Sequence, residues 1–242
     1  TFLFKMYQAF GHHFDFIAIP IIKKRLRTDT SKVIIDESRP NLTEHLATRF
    51  KEKIGQNVNL LGEVVLGNGE ADHRYHHYLE ALESPDINYI SVKISGIYAQ
   101  THALNYRESF PELVRRMSAL YQKAIDNPYV DEDGLKRAKF INLDMEEYKD
   151  AHFTMRLFKE VLSKPEFKNY SAGIVVQAYL PDAYDFQTEL LEFAKARVES
   201  GGTPIKMRLV KGCNLEMETV ISSLRGWPNP VRPSKTEVDA NY

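Results

Sequence analysis

The chain has 242 residues, 43% of them hydrophobic, and its 32 basic and 33 acidic side chains leave a formal net charge of -1. That length can bury a large core in one α/β barrel or in one to two smaller domains, and the balanced charge gives no electrostatic basis for binding nucleic acid. A single cysteine, Cys213, excludes an internal disulfide and suits a reducing compartment.

From the N-terminus, residues 1–55 read as a mostly helical arm. The stretch from Phe2 to Phe16 is broken by Lys5, Gln8, His12, His13 and Asp15, which excludes a signal peptide. No apolar run approaches the roughly 18 residues of a membrane span. Lys23-Lys-Arg-Leu-Arg27 is the longest basic run and reads as a solvated helix end. Asn41-Leu-Thr-Glu44 has the pattern of a capping box and predicts a helix to about Ile54.

Residues 56–242 change character, with short β-rich segments alternating with longer amphipathic ones, the rhythm of βα units around a parallel sheet. Strands are predicted near 58–66, 89–95, 138–144, 173–179 and 205–210, with a weaker one near 229–232. Helices are predicted near 70–84, 104–126, 146–163, 184–200 and 214–225. Gly67-Asn-Gly69, Ser84-Pro-Asp86, Asp131-Glu-Asp-Gly134 and Ser200-Gly-Gly-Thr-Pro204 punctuate them. The last residues, Asn241-Tyr242, fall within a helical pattern, as in a fragment of a longer chain.

Side chains alternate faces along a strand, so parity separates a sheet covered on both sides from a barrel wall. In Tyr89-Ile-Ser-Val-Lys-Ile-Ser95 the even positions are branched aliphatics and the odd ones carry Tyr89, Ser91, Lys93 and Ser95. Asn142 and Asp144 share a face of the third strand, Gln177 and Tyr179 of the fourth, and Glu63 interrupts the first. One greasy and one polar side favour a barrel, whose active site lies at the C-terminal ends of its strands.

Lys93, Asp144, Gln177 and Arg208 sit late in four consecutive strands, so a closed barrel gathers two cations, a carboxylate and an amide at one mouth. Arg208 belongs to Pro204-Ile-Lys-Met-Arg-Leu-Val-Lys-Gly-Cys213, where a cation at a strand end precedes a glycine turn able to approach an anion closely. Each residue alone also fits an ion pair that satisfies a buried polar group. Lys93 suits either a Schiff-base nucleophile or a fixed charge for a substrate carboxylate. His73, His76 and His77 have helical ligand spacing but sit among polar neighbours, and they read as a solvated cluster. Gly67-Asn-Gly69 lacks the third glycine of a dinucleotide fingerprint, and neither a Walker A loop nor a Gly-x-Ser-x-Gly elbow occurs.

From roughly Asn57 to Tyr242 the chain resembles the proline dehydrogenase domain, as in bifunctional proline utilisation proteins. The resemblance rests on Asn59-Leu-Leu-Gly-Glu63, Ile90-Ser-Val-Lys-Ile-Ser95, Ile141-Asn-Leu-Asp-Met-Glu-Glu147, Val175-Val-Gln-Ala-Tyr179, Ile205 through Gly212, and Trp227 through Lys235 to Asp239. It implies a distorted (β/α)8 TIM-type barrel, here truncated after about six βα units, with residues 1–55 as an N-terminal helical arm and residues 56–242 as the barrel. It implies FAD at the strand ends, with a hydride passing from C5 of L-proline to flavin N5 to give 1-pyrroline-5-carboxylate.

By the same resemblance Arg208 stands near flavin N5, and Gln177 hydrogen-bonds the flavin. Val210, Lys211 and Gly212 meet the ribityl and pyrophosphate parts, and Lys235 faces the adenosine side. Lys93 pairs with the proline carboxylate and contacts Asp144, while Leu209 forms part of an apolar wall over the pyrrolidine ring. A quinone acceptor at a membrane surface, a fused or partner pyrroline-5-carboxylate dehydrogenase and a bacterial cytoplasmic location, peripheral to the inner membrane, are further implications.

The chain departs from the family at Cys213-Asn-Leu215, where some members place an aromatic residue over the substrate. Asn214 can instead hydrogen-bond FAD or substrate. The family's last two strands and its paired carboxylate-binding arginines are expected beyond Tyr242. Two alternatives stand beside the flavoenzyme reading. One is a barrel lyase or aldolase with Lys93 as the Schiff-base residue and Asp144 as its acid/base partner; the other is a truncated, non-catalytic flavin-binding or interaction module.

Overall fold

The computed structural model describes residues 15–30, 34–35, 39–60, 65, 67–99, 101 and 105–242. The chain divides into two compact units, Thr1–Ile54 and Gly55–Tyr242. The expectation for Glu63 lies outside the described residues.

The first unit contains helices α1 (Asp15–Thr30) and α2 (Arg39–Lys51). Asn41 lies inside α2 and does not cap it, which corrects the predicted start. The helix begins at Arg39-Pro40, and proline is tolerated in a first turn because its missing N–H has no intrahelical partner there.

In the second unit, five parallel strands form one sheet in strictly sequential order: β1 (Val58–Asn59), β2 (Tyr89–Lys93), β5 (Phe140–Asp144), β6 (Gly173–Gln177) and β7 (Lys206–Val210). Between β2 and β5 a small hairpin pairs β3 (Tyr129–Val130) with β4 (Lys136–Arg137) around the predicted Asp131–Gly134 turn. Asp131 holds that turn by accepting from the backbone N–H groups of Asp133 and Leu135 at 3.0 and 2.9 Å. The helices of this unit are α3 (Asn68–Glu83), a short α4 (Ile94–Ile97), α5 (Tyr106–Asp126), α6 (Tyr148–Leu162), α7 (Ala183–Glu199), α8 (Leu215–Arg225) and α9 (Lys235–Asn241).

The two sides of the sheet differ as the parity argument predicts. Ile90, Val92, Ile141, Leu143, Ile174 and Val176 are at most 1% exposed. The helical residues buried with them recur at turn spacing, as Leu113, Met117, Leu120, Tyr121 and Ala124 on α5 and Ala151, Met155, Phe158 and Leu162 on α6. The alternate positions carry Ser91, Lys93, Asn142, Asp144 and Gln177 on the other side.

Several boundaries differ from expectation. The second strand stops at Lys93 and turns into α4, in which Gly96 accommodates the Tyr78 ring so closely that a Cβ there would lie 2.8 Å from the phenol oxygen. The weak strand near 229–232 is not formed, so the described sheet has five strands and not six. Pro228, Pro230 and Pro233 deprive that segment of ladder donors. It is held instead by Arg232 N, which donates to Tyr179 O at 2.8 Å, and by burial of Val231.

The ends of α8 and α9 follow standard capping chemistry. Gly226, left-handed at φ 63°, closes α8, and Trp227 N reaches Ser222 O at 2.9 Å. Ser234 caps α9 by accepting from Glu237 N at 3.2 Å. Among the described residues no helix is long and apolar enough to cross a membrane.

Candidate active site

The strand register sets the site. Lys93 lies beside Asp144, Val175 beside Arg208, and Gln177 beside Val210. A cavity of about 440 Å³ opens at these strand ends, lined by Asn59, Lys93, Asp144, Met145, Glu146, Val175, Gln177, Arg208, Val210 and the turn Lys211 to Asn214. All four strand-end residues singled out in the sequence meet there. Its lining carries three cations (Lys93, Arg208, Lys211) against two carboxylates (Asp144, Glu146), a balance that suits an anionic ligand.

Arg208 Nη2 donates to Asp144 Oδ1 at 2.7 Å, and the same oxygen accepts from Asn142 Nδ2 at 2.7 Å and Ser91 Oγ at 3.3 Å. Burial pushes the Asp144 carboxyl above its ordinary range, while Arg208, Ser91, Asn142 and Lys93 pull it back. Lys93, expected to contact Asp144, is its register partner and lowers the Asp144 carboxyl through its charge, but its ion pair is with Glu146. Its ammonium lies 3.4 Å from Glu146 Oε1, and Glu146 Oε2 accepts from Ser95 Oγ at 2.5 Å. Glu146 is the charged lining residue that the sequence reading does not assign to the site, alongside Asn59, Met145, Val175 and Cys213; its position two residues after Asp144, at a strand end, is the available signal.

Gln177 is 1% exposed, and its Nε2 is committed to Met145 O and Glu146 O at 2.9 and 3.2 Å. Its Oε1 and the Nε of Arg208 are buried without a partner. Both belong to residues that line the cavity, where a bound group or water can supply the missing bonds. The turn beyond β7 is equally constrained. Gly212 has φ 113°, and a Cβ there would fall 1.6 Å from the Tyr179 ring.

Two expected site residues lie off the cavity. Leu209 alternates with Arg208 and Val210, so it faces away and does not line the cavity. Lys235 starts α9 and reaches the site only indirectly, because Asp239 bridges Lys211 and Lys235 at 2.5 Å each. Asn241 Nδ2 fastens α9 to the strand ends by donating to Ala178 O at 2.7 Å. Asn214 lines the cavity and precedes α8. The histidines of α3 do not line it; His73 Nε2 and His77 Nε2 lie 2.9 Å apart on an exposed face. A larger cavity of about 670 Å³, between the start of α6, α8 and Trp227 to Pro230, contains none of the four strand-end residues.

A profile of the proline dehydrogenase family matches residues 42–242 of the chain. The chain belongs to the proline dehydrogenase family.

Solved proline dehydrogenase relatives agree with the fold. Proline utilization A from Corynebacterium freiburgense is 40% identical with a TM-score of 0.81, over 97% of this chain and 24% of that one. The Bdellovibrio bacteriovorus protein, solved after inactivation by N-propargylglycine, is 33% identical with a TM-score of 0.69, over 82% of this chain and 22% of that one. A Bradyrhizobium japonicum protein at 24% identity and a TM-score of 0.65, over 77% of this chain and 19% of that one, shares the fold. The chain thus spans about a quarter of the length of these relatives. No curated protein matches the chain.

Proposed function

We propose that the strand-end cavity binds FAD and L-proline and that the chain is the proline-oxidising part of a longer polypeptide. The observation that carries this reading is the convergence of Lys93, Asp144, Gln177 and Arg208 on one cavity in a chain of this family. The residues fit the cofactor. The free Oε1 of Gln177 suits a ring N–H, and the unpartnered Nε of Arg208 suits a ring acceptor. Gln177, Arg208, Val210, Lys211, Gly212 and Asn214 would hold it, with Lys235 supporting Lys211 through Asp239. When bound, FAD supplies the two-electron acceptor for a hydride leaving proline C5.

The protein's own groups do the rest. Arg208 is a fixed cation because Asp144 holds its guanidinium, so no reorganisation is needed when negative charge develops beside it. Lys93 offers its ammonium to the proline carboxylate by exchanging with Glu146. An ammonium held against a carboxylate is a poor nucleophile, which favours charge pairing over a Schiff base at Lys93. The sequential strand order, with no reversal, supports the sheet as an arc of a (β/α)8 barrel. Electron transfer to a quinone at a membrane surface and a pyrroline-5-carboxylate dehydrogenase elsewhere on the polypeptide complete the proposal.

Anaerobic addition of L-proline to the FAD-loaded full-length polypeptide tests it. Bleaching of the flavin is expected. Arg208→Met slows that reduction by roughly a hundredfold or more, the scale of one lost electrostatic donor. Lys93→Ala weakens proline binding with the flavin still held. A flavin that stays oxidised in the wild-type protein refutes the reading.

A further inference from the structure

We propose that Asn142 and Ser91, backed by Asn57, form a positioning network that holds the Asp144 carboxylate ionised and turned toward Arg208. The inference deepens the proposed function, since Arg208 is the cation assigned to the flavin, but its evidence lies below the cavity.

Ser91 and Asn142 are both 0% exposed, so neither has a surface that a ligand can reach. Asn57 Nδ2 donates to Ser91 Oγ at 2.8 Å, which leaves the serine proton to point at Asp144 Oδ1, 3.3 Å away. Asn142 Nδ2 donates to the same oxygen at 2.7 Å. With Arg208 Nη2, three donors converge on Oδ1.

The cost of this arrangement shows what it serves. With its nitrogen committed to Asp144, Asn142 leaves Oδ1 buried without a partner. An orphaned buried acceptor of this kind is expensive. Turning the amide over would place that oxygen against the carboxylate, so the orphan is tolerated only because Asp144 needs the donor. The next strand accommodates it as well. Opposite Asn142 in the register stands Gly173, and a Cβ there would lie 2.6 Å from the Asn142 oxygen. Gly173 therefore makes room for the amide that orients Asp144.

The charged and titratable groups facing Asp144 are Tyr78 on α3, Tyr89 and Lys93 on β2, Glu146 beyond β5 and Arg208 on β7. Burial opposes ionisation there, and the network's two donors act against it together with Arg208 and Lys93.

The test titrates the Asp144 side-chain carboxyl by carbon-13 NMR in the flavin-free protein, for the wild type and for Ser91→Ala, Ser91→Thr and Asn142→Leu. Loss of one hydrogen bond to the carboxylate makes its protonation about tenfold more favourable. That increase is expected in Ser91→Ala and Asn142→Leu, whereas Ser91→Thr keeps the hydroxyl and the wild-type midpoint. The acid limb of proline-dependent flavin reduction should move by the same factor. An unchanged midpoint in Ser91→Ala, or an equal change in Ser91→Thr, overturns the inference. The carboxyl is read without flavin or proline, so failure of proline to bleach bound FAD refutes the proposed function and leaves this result to be judged by itself.

Discussion

Among single residues, Gly212 is the one whose identity is most tightly required. Its φ of 113° is strained for any side chain, and the Tyr179 ring occupies the space a Cβ needs. Gly226 is also left-handed, at φ 63°, but nothing lies within 4 Å of its missing Cβ. Gly226→Ala should therefore lose only about 1–2 kcal/mol of stability from backbone strain. Gly212→Ala should lose more in urea denaturation, and FAD binding should weaken at least tenfold as the turn is displaced. Equal losses for the two variants would contradict the role of Tyr179. At this scale the sequence was readable in type but not in contact. Strand position suffices to bring out Lys93, Asp144, Gln177 and Arg208, but it does not show that Lys93 meets Glu146, and Leu209, one residue from Arg208 along the strand, faces the other side.

Elements are joined by buried polar staples, of which Arg197 is the clearest. It is 8% exposed and donates to the carbonyls of Thr203, Leu162, Phe167, Lys168 and Tyr170 at 2.8, 2.5, 2.5, 2.9 and 2.9 Å. One guanidinium thus ties α7 to the end of α6 and to the segment entering β6. Each carbonyl left buried and unpaired costs about 1–3 kcal/mol, so Arg197→Met should destabilise by more than about 4 kcal/mol. Arg197→Lys should recover only part of this, because an ammonium cannot reproduce the fork. Urea denaturation of both variants provides the comparison, and a loss below about 1 kcal/mol for Arg197→Met would show that water replaces the staple. The positions of α3, α5, α6, α7 and α8 are legible within about two residues, because their apolar spacing follows the helical period, whereas the four-residue α4 is too short to show one. The segment at 229–232 is not legible either, since Val231 looks like a strand residue but its neighbouring prolines cannot join a ladder.

At the scale of the whole molecule, pH acts through a buried carboxylate in the first turn of α6. Asp150 is 8% exposed, and burial pushes its carboxyl up to about 6, with Lys149 opposing and Glu147, Glu146 and Glu218 adding to the rise. The unfolded chain titrates Asp near 3.9, so between about pH 4 and 6 the folded state binds more protons than the unfolded one. Stability contributed by this group is present below pH 4 and is lost as pH rises through 6, by up to about 3 kcal/mol. Asp150→Asn should remove that fall and be more stable than wild type at pH 7, with little difference at pH 4. Melting temperatures across that range would show it, and parallel wild-type and variant profiles would refute it. The opposite edge of the sheet is less enclosed. Leu191, Val198, Met217, Val220 and Leu224 are exposed on α7 and α8, and the apolar positions of β7 are only half-buried.

The sequence by itself determined the alternation of strands and helices, the greasy and polar sides of the sheet, and the strand ends on which charged residues fall. These follow from periodicity, which is local and set by backbone geometry. Only the tertiary structure decided that the sheet runs in unbroken sequential order, that Asp144 takes Arg208 while Lys93 takes Glu146, and that Asn142 stands over Gly173. These pairings join residues dozens of positions apart. They depend on register and on distances across neighbouring strands, and no local pattern in the chain encodes either.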